Sequence, residues 1–222
     1  RLLSEARGQL AASEYIECGR TAEQALEAAR ELDLPLKVAE AANILGSALL
    51  RIGMTEQALP LFNESLDIGV EHRNDELRAS SLTNLGRYYR LTGNSDLALR
   101  HGREGVEAAR LIDSPLILAS AILSLGNICE RTGRYSEALD LYTEALSIAK
   151  STGDQRLEAY AAGNVGIIHE RLGETHLSLH YNIRSLELKE AIDDRWGMGV
   201  SYNNVAILYH DLGEYPNALE SW

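Results

Sequence analysis

The chain has 222 residues, 45% of them hydrophobic and 24% charged, with 33 acidic against 21 basic side chains and a formal net charge of −12. That balance belongs to a folded chain. The negative charge repels phosphate backbones, and no basic run interleaved with aromatics occurs, so nucleic acid is excluded as a direct partner. No stretch approaches the roughly 18 uncharged apolar residues that span a bilayer, and residues 1–19 lack the apolar block of a signal peptide. A soluble, cytoplasmic chain with no membrane partner is therefore expected. The two cysteines, Cys18 and Cys129, have no partner at disulfide-framework or metal spacing. The basic residues are nearly all arginine, with lysine only at Lys37, Lys150 and Lys189, which reads as codon bias rather than function.

The elements recur with a step of 40 residues, which cuts a single repeat domain, 1–222, into segments 1–33, 34–73, 74–113, 114–153, 154–193 and a shortened 194–222. The first segment predicts helix A over 1–12, with Ala6 on it, a turn at Ser13 and helix B over 15–32. In the second, Gly46 occupies the place of Ala6 and Gly53 that of Ser13; Thr55 can cap a helix B whose face is Ala58, Leu59, Phe62 and Leu66. The third opens on Asn74 and carries Gly86, Gly93 and Ser95; the fourth opens on Ser114-Pro115, an N-cap with proline after it, and carries Gly126, Gly133 and the face Ala138, Leu139, Tyr142, Leu146. Asp154, Gly166, Gly173 and Thr175 repeat the plan in the fifth, and Asp194, Ala206, Gly213 and Pro216 in the sixth, with Pro216 at a first helical position.

Two columns have a direct physical meaning. Ala6, Gly46, Gly86, Gly126, Gly166 and Ala206 are always small, as needed where helix A crosses helix B too closely for a larger side chain. Ser13, Gly53, Gly93, Gly133, Gly173 and Gly213 stand where one apolar helical run stops and the next begins, the place of a left-handed residue. No period-two alternation appears, so strands are not expected. Trp222 falls on the column of Phe62 and Tyr142, a core position, and the chain is expected to continue past it.

The runs Asn84-Leu85-Gly86 with Tyr89, Gly93 and Ala98, and Leu125-Gly126 with Gly133, Tyr135, Ala138, Tyr142 and Ala145, resemble tetratricopeptide helix pairs over the whole chain. The period is longer than the commonest 34, and is similar to arrays in spindle-polarity adaptors and bacterial multidomain signalling proteins. His101-Gly102, Asn182 and Ser178 depart from the aromatic and small positions. The resemblance implies an all-α fold, a right-handed α-solenoid of antiparallel helix pairs, whose concave face is lined by the helices A.

On that face, Ile44, Asn84, Ser124, Asn164 and Asn204 share one column, and Asn43, Asn203, Arg87 and Asn127 lie beside it. Amides offer a donor and an acceptor, so a ladder of them can hold the backbone of an extended peptide; the alternative is that they bridge adjacent helices. Arg87, Arg90, Arg131 and Arg171 can supply contacts to an acidic ligand, or else pair internally with Glu130 and Glu170. The carboxylate-binding variety of the family needs two basic groove residues in one repeat where this chain has Tyr160 and Asn164, so a chaperone C-terminus is not the expected ligand, and Tyr160 reads as an aromatic anchor.

The remaining chemistry-bearing residues read as structural. His176 and His180 share a helix face without a third ligand, His169 stands in the column of Leu49, Tyr89, Cys129 and Tyr209, and Cys18 in that of Ala58, Ala98 and Ala138. No phosphate loop, metalloprotease or nucleophile-elbow motif occurs. The expectation is a non-enzymatic protein-interaction module without cofactor or metal. It binds a peptide or protein, acidic in one reading, as the sensory part of a larger bacterial signalling protein. The alternatives are a scaffold that self-associates through exposed repeat ends and a non-catalytic region of a multidomain enzyme.

Overall fold

The computed structural model describes residues 1–221; Trp222, and with it the core position expected for it, lies outside the described residues. They form twelve helices: α1 (Leu2–Ala11), α2 (Tyr15–Glu31), α3 (Pro35–Arg51), α4 (Thr55–Glu71), α5 (Asp75–Thr92), α6 (Ser95–Arg110), α7 (Pro115–Arg131), α8 (Tyr135–Thr152), α9 (Gln155–Arg171), α10 (Thr175–Ala191), α11 (Arg195–Asp211) and α12 (Tyr215–Ser221). There is no strand among the described residues. Two compact units divide the chain, Arg1–Ile128 and Cys129–Trp222, the division falling inside α7. In the N-terminal unit consecutive helices pack in antiparallel pairs, and α1, α3 and α5 also touch one another in turn, so the first helices of three repeats stand in a row. In the C-terminal unit α8 to α12 pack each against the next. Each unit is an all-α stack of helix pairs, an α-solenoid.

Short turns make this stacking obligatory. Gly53, Gly93, Gly133, Gly173 and Gly213 all have positive φ, between 74° and 85°, and Ser13 takes the same left-handed conformation at 63°. The residue after each closes a bond back to the carbonyl five positions earlier, as Asn94 N–H to Tyr89 O at 2.9 Å and Glu174 N–H to His169 O at 2.9 Å. Those bonds satisfy carbonyls that the helix end leaves orphaned.

The next helix then begins one residue sooner than the sequence suggests. Thr55, Ser95 and Thr175 are first helical residues, not caps; the cap positions are Met54, Asn94 and Glu174, of which only Asn94 accepts a side-chain bond, from Leu97 N–H at 3.1 Å. Pro216 is likewise the second residue of α12. At the starts of the helices A the expected caps are in place: Asn74, Asp154 and Asp194 accept from Leu77, Leu157 and Gly197 N–H at 2.9–3.0 Å.

A second left-handed column, between repeats, is not evident from glycine spacing. Asp33, Arg73 and Asp193 have φ of 51–52° and only Gly153, at 70°, is a glycine. Aspartate tolerates this region; arginine gains nothing there and bears the steric cost of its Cβ. Arg73→Gly is expected to stabilise the chain by about 0.5–1 kcal/mol, the relief of strain exceeding the added chain entropy. A urea midpoint moving downward instead would contradict the left-handed turn.

Close packing follows the small column. A Cβ on Gly46 would stand 2.7 Å from the Phe62 ring, one on Gly86 3.1 Å from the backbone nitrogen of Gly102, and one on Gly166 2.5 Å from Asn182 Nδ2. Each of these glycines faces the residue sixteen positions on, and the approach is closest where that residue has a side chain, Phe62 or Asn182, rather than Gly102. Another pair of columns, twelve residues apart, holds stacked rings in both units: Tyr89 on His101 at 5.4 Å, and in the reverse order His169 on Tyr181 at 5.5 Å. His169 is thus a packed core histidine, with Nδ1 2.5 Å from Glu174 Oε2. Cys18 and Cys129 are fully buried, and burial raises the Cys18 thiol pKa, which keeps it protonated and inert.

Candidate functional site

Helix periodicity sets the site in the N-terminal unit. On α3, Asn43, Ser47 and Arg51 follow at steps of four; on α5, Ser80, Asn84 and Arg87 follow at steps of four and three, so each trio shares one helix face. Because α3 and α5 are neighbours, the two faces line a common groove of about 410 Å³, completed by Tyr15 and Leu10 at one side and by Leu116 and Ile117 of α7 at the other.

The polar side chains of the groove are linked. Asn84 Nδ2 donates to Asn43 Oδ1 at 2.9 Å and to Ser47 Oγ at 3.0 Å, while Asn43 Nδ2 donates to Ser80 Oγ at 2.9 Å. The serines pass their own protons to helix carbonyls, Ser47 to Asn43 O and Ser80 to Leu77 O. Bridging between helices, the alternative role for these amides, is therefore what both asparagines do. It does not exhaust them: the Asn84 Oδ1 acceptor and one N–H of Asn43 have no partner among the described residues, and both side chains line the groove. One acceptor and one donor on adjacent rungs match the alternating groups of an extended backbone.

Charge distinguishes the groove more than hydrogen bonding does. Burial first, then the neighbouring Arg51 and Arg90 cations, pull the half-buried Arg87 guanidinium down to about 10, with Tyr15 opposing; it stays charged at neutral pH. Among the described residues no carboxylate pairs with Arg87 or Arg51, and Arg51 lies over the Tyr15 ring, 5.7 Å from its guanidinium carbon to the ring centre. Many other arginines are paired, as Arg7 with Glu40 at 2.6 Å, Arg30 with Glu64 at 2.8 Å and Arg184 with Glu158 at 2.9 Å, while Arg131 and Arg171, which have no such pair among the described residues, are exposed to solvent and do not line the groove. Two groove arginines without carboxylates, in a chain of net charge −12, form a local inversion of sign.

In the C-terminal unit Tyr160, Asn164 and Asn204 line a smaller cavity of about 120 Å³ between α9, α10 and α11. Tyr160 donates its hydroxyl proton to Asp194 Oδ2 at 3.2 Å, which ties down the ring proposed as an anchor. Asn204 Nδ2 reaches Asn182 Oδ1 at only 3.5 Å. The other sequence candidates are not brought to either cavity. Asn127 is half-buried on α7 and already engaged, Asn203 is exposed on α11, and Arg131 and Arg171 are exposed at the C-terminal ends of α7 and α9. No ion pair joins Arg131 to Glu130 or Arg171 to Glu170 among the described residues; Glu130 instead accepts from Tyr142 Oη at 3.3 Å.

Arg51 in the groove and Lys189 in the smaller cavity are not among the sequence candidates. Arg51 shares the 40-residue column of Arg131 and Arg171, and only the packing of α3 beside α5 shows that this member of the column faces the groove. Lys189 was legible as an outlier, since its column otherwise reads Ala29, Gly69, Ala109 and Ala149. His176 and His180 are exposed, and no group of three ligand-type side chains that could hold a metal occurs among the described residues. No described helix is long and apolar enough to cross a membrane.

A family model described as tetratricopeptide repeat matches residues 38–110 and 117–191. No curated protein matches the sequence. Among solved structures, a Rap protein complexed with Competence and Sporulation Factor superposes with a TM-score of 0.83 at 14% identity, covering 99% of this chain and 71% of that one. A signal transduction ATPase with numerous domains and a tetratricopeptide repeat sensor, from Pyrococcus horikoshii, gives 0.80 at 17% identity, covering 99% of this chain and 34% of that one. BtubC from P. vanneervenii gives 0.77 at 18% identity, covering 91% and 86%. At such identities the likeness is one of fold.

Proposed function

Since the chain belongs to the tetratricopeptide repeat family, we propose that its N-terminal unit is a protein-interaction module that receives an extended, acidic peptide along α3 and α5. The observation that carries this reading is the pair Arg51 and Arg87, cations lining one groove with no described carboxylate to neutralise them. Asn43 and Asn84 contribute the unspent donor and acceptor for the peptide backbone, and Tyr15, Leu116 and Ile117 the apolar contacts at its sides. A carboxylate on Arg87 relieves the repulsion of three neighbouring guanidinium groups, so binding is favoured beyond the contact itself.

A sensory role inside a larger regulatory protein is supported by the fold it shares with a tetratricopeptide repeat sensor and with a Rap protein solved in complex with a factor. The test is a library of nine-residue peptides read against the intact chain, with Asp or Glu at one position exchanged for Asn or Gln. Acidic members are expected to bind at least tenfold more tightly at low salt, with the difference shrinking as salt rises. Equal binding of the neutral set, or perturbations that map away from α3 and α5, would defeat the proposal.

A further inference from the structure

Lys189 breaks the repeat in a way that the groove described above does not use. Its column holds alanine or glycine in four other repeats, and the column eight residues later holds Leu77, Ile117 and Leu157 where this repeat has Gly197. The exchange is reciprocal. Between α4 and α5 a small Gly69 lies under Leu77, a Cβ on it standing 3.1 Å from the leucine Cβ; between α10 and α11 a Cβ on Gly197 would meet the capping Asp194 carboxylate first and then stand 3.0 Å from Lys189 Cδ, where the lysine stem covers it. Volume is conserved, but an ammonium group has entered the space between repeats, where Lys189 is only 6% exposed.

That ammonium is incompletely satisfied. Nζ donates to Ser201 Oγ at 2.8 Å and sits 5.5 Å from the centre of the Tyr160 ring. Asp194 is near enough to favour its charge, yet no ion pair joins them among the described residues; the Asp194 oxygens accept instead from Gly197 N–H and the Tyr160 hydroxyl. Two ammonium donors remain in a cavity of about 120 Å³ that also holds Asn164 and Asn204, with Trp196 and Val200 exposed at its side. Burial lowers the lysine pKa, so an anion placed here would restore what desolvation takes away.

The rest of α10 is polar in the same sense. Ser178, Asn182 and Ser185 are buried on the face that leads to Lys189, where the fourth repeat has Ala138, Tyr142 and Ala145. Ser185 Oγ donates to Ala159 O of α9 at 2.8 Å and Asn182 Nδ2 to Ser178 O at 2.9 Å, so these groups are satisfied and the unspent donors on this face are those of Lys189. We propose that the cavity between α9, α10 and α11 is a binding subsite for a single carboxylate, held by the Lys189 ammonium and the amides of Asn164 and Asn204, with Trp196 and Val200 covering the carbon chain that bears it. A monoanion is favoured over a phosphate dianion because the Asp194 carboxylate stands beside the lysine. This subsite takes its lysine from the second helix of a repeat and its amides from the first helices on either side, all in the C-terminal unit, and does not depend on the peptide groove of the other unit.

The test is a titration of the intact chain followed by amide NMR at Gly197 and Ser201. Three probes separate the sources of the carboxylate: acetyl-aspartyl-N-methylamide carries only a side-chain acid, acetyl-alanine only a terminal one, and propionate no peptide unit. At least one is expected to shift both amides in a saturable way, and the tightest identifies the source. Lys189→Met keeps the stem and removes the charge, and should bind at least tenfold more weakly. Lys189→Ala with Gly197→Leu rebuilds the arrangement of Gly69 and Leu77, should fold, and should also lose binding. Binding retained in both variants, no saturable shift with any probe, or inorganic phosphate binding as tightly as the acids would overturn the assignment.

Discussion

Exchanging Arg87 for methionine is expected to weaken binding of an acidic peptide by about 10- to 100-fold while leaving the protein as stable as before, or slightly more so. The loss corresponds to about 1.5–3 kcal/mol, the range for hydrogen bonds to a charged group. The stability follows from the sign of the pKa shift. Arg87 is pulled down to about 10 by burial and by Arg51 and Arg90, so its charged form is less favourable in the folded chain than in the unfolded one. Removing the charge relieves that cost, by about 1 kcal/mol or less because the groove is partly solvated, and the methionine keeps most of the packing of the arginine stem. Peptide affinity by fluorescence anisotropy and the urea midpoint read the two effects separately. If affinity and stability fall together, Arg87 is a structural residue and the groove loses its main support.

The second large effect concerns the helix crossing. Phe62→Ala is expected to cost about 3–5 kcal/mol, since the ring is fully buried and leaves a cavity. Gly46→Ala alone should cost about 1–3 kcal/mol, because its methyl would stand 2.7 Å from that ring. Together the two should cost less than their sum by about 0.5–3 kcal/mol, the new methyl occupying space that the ring has vacated. The combination already exists elsewhere in shifted form, with Ala6 and Ala22 at the same two positions of the first repeat. Thermal unfolding by circular dichroism of the four proteins completes the cycle, and additive costs would show that the two positions do not share one space.

The sequence by itself determined the period, the helix pairs, the left-handed turns at Gly53 through Gly213 and the caps at Asn74, Asp154 and Asp194. These depend on backbone sterics and on bonds between residues three to five apart, so local spacing carries them. It also identified the core role of His169, because a column in a repeat reports burial without coordinates.

Only the tertiary structure decided which polar residues act together. Asn43 and Asn84 are 41 positions apart and meet because α3 touches α5; Arg51, Arg131 and Arg171 share a column, yet only Arg51 lines the groove. Repeats of one pattern differ in which neighbour covers a given face, and a column contains no term for that neighbour. Lys189 shows the same limit from the other side: its letter is visible as an exception, but the missing carboxylate partner and the space made by Gly197 are properties of helices packed side by side.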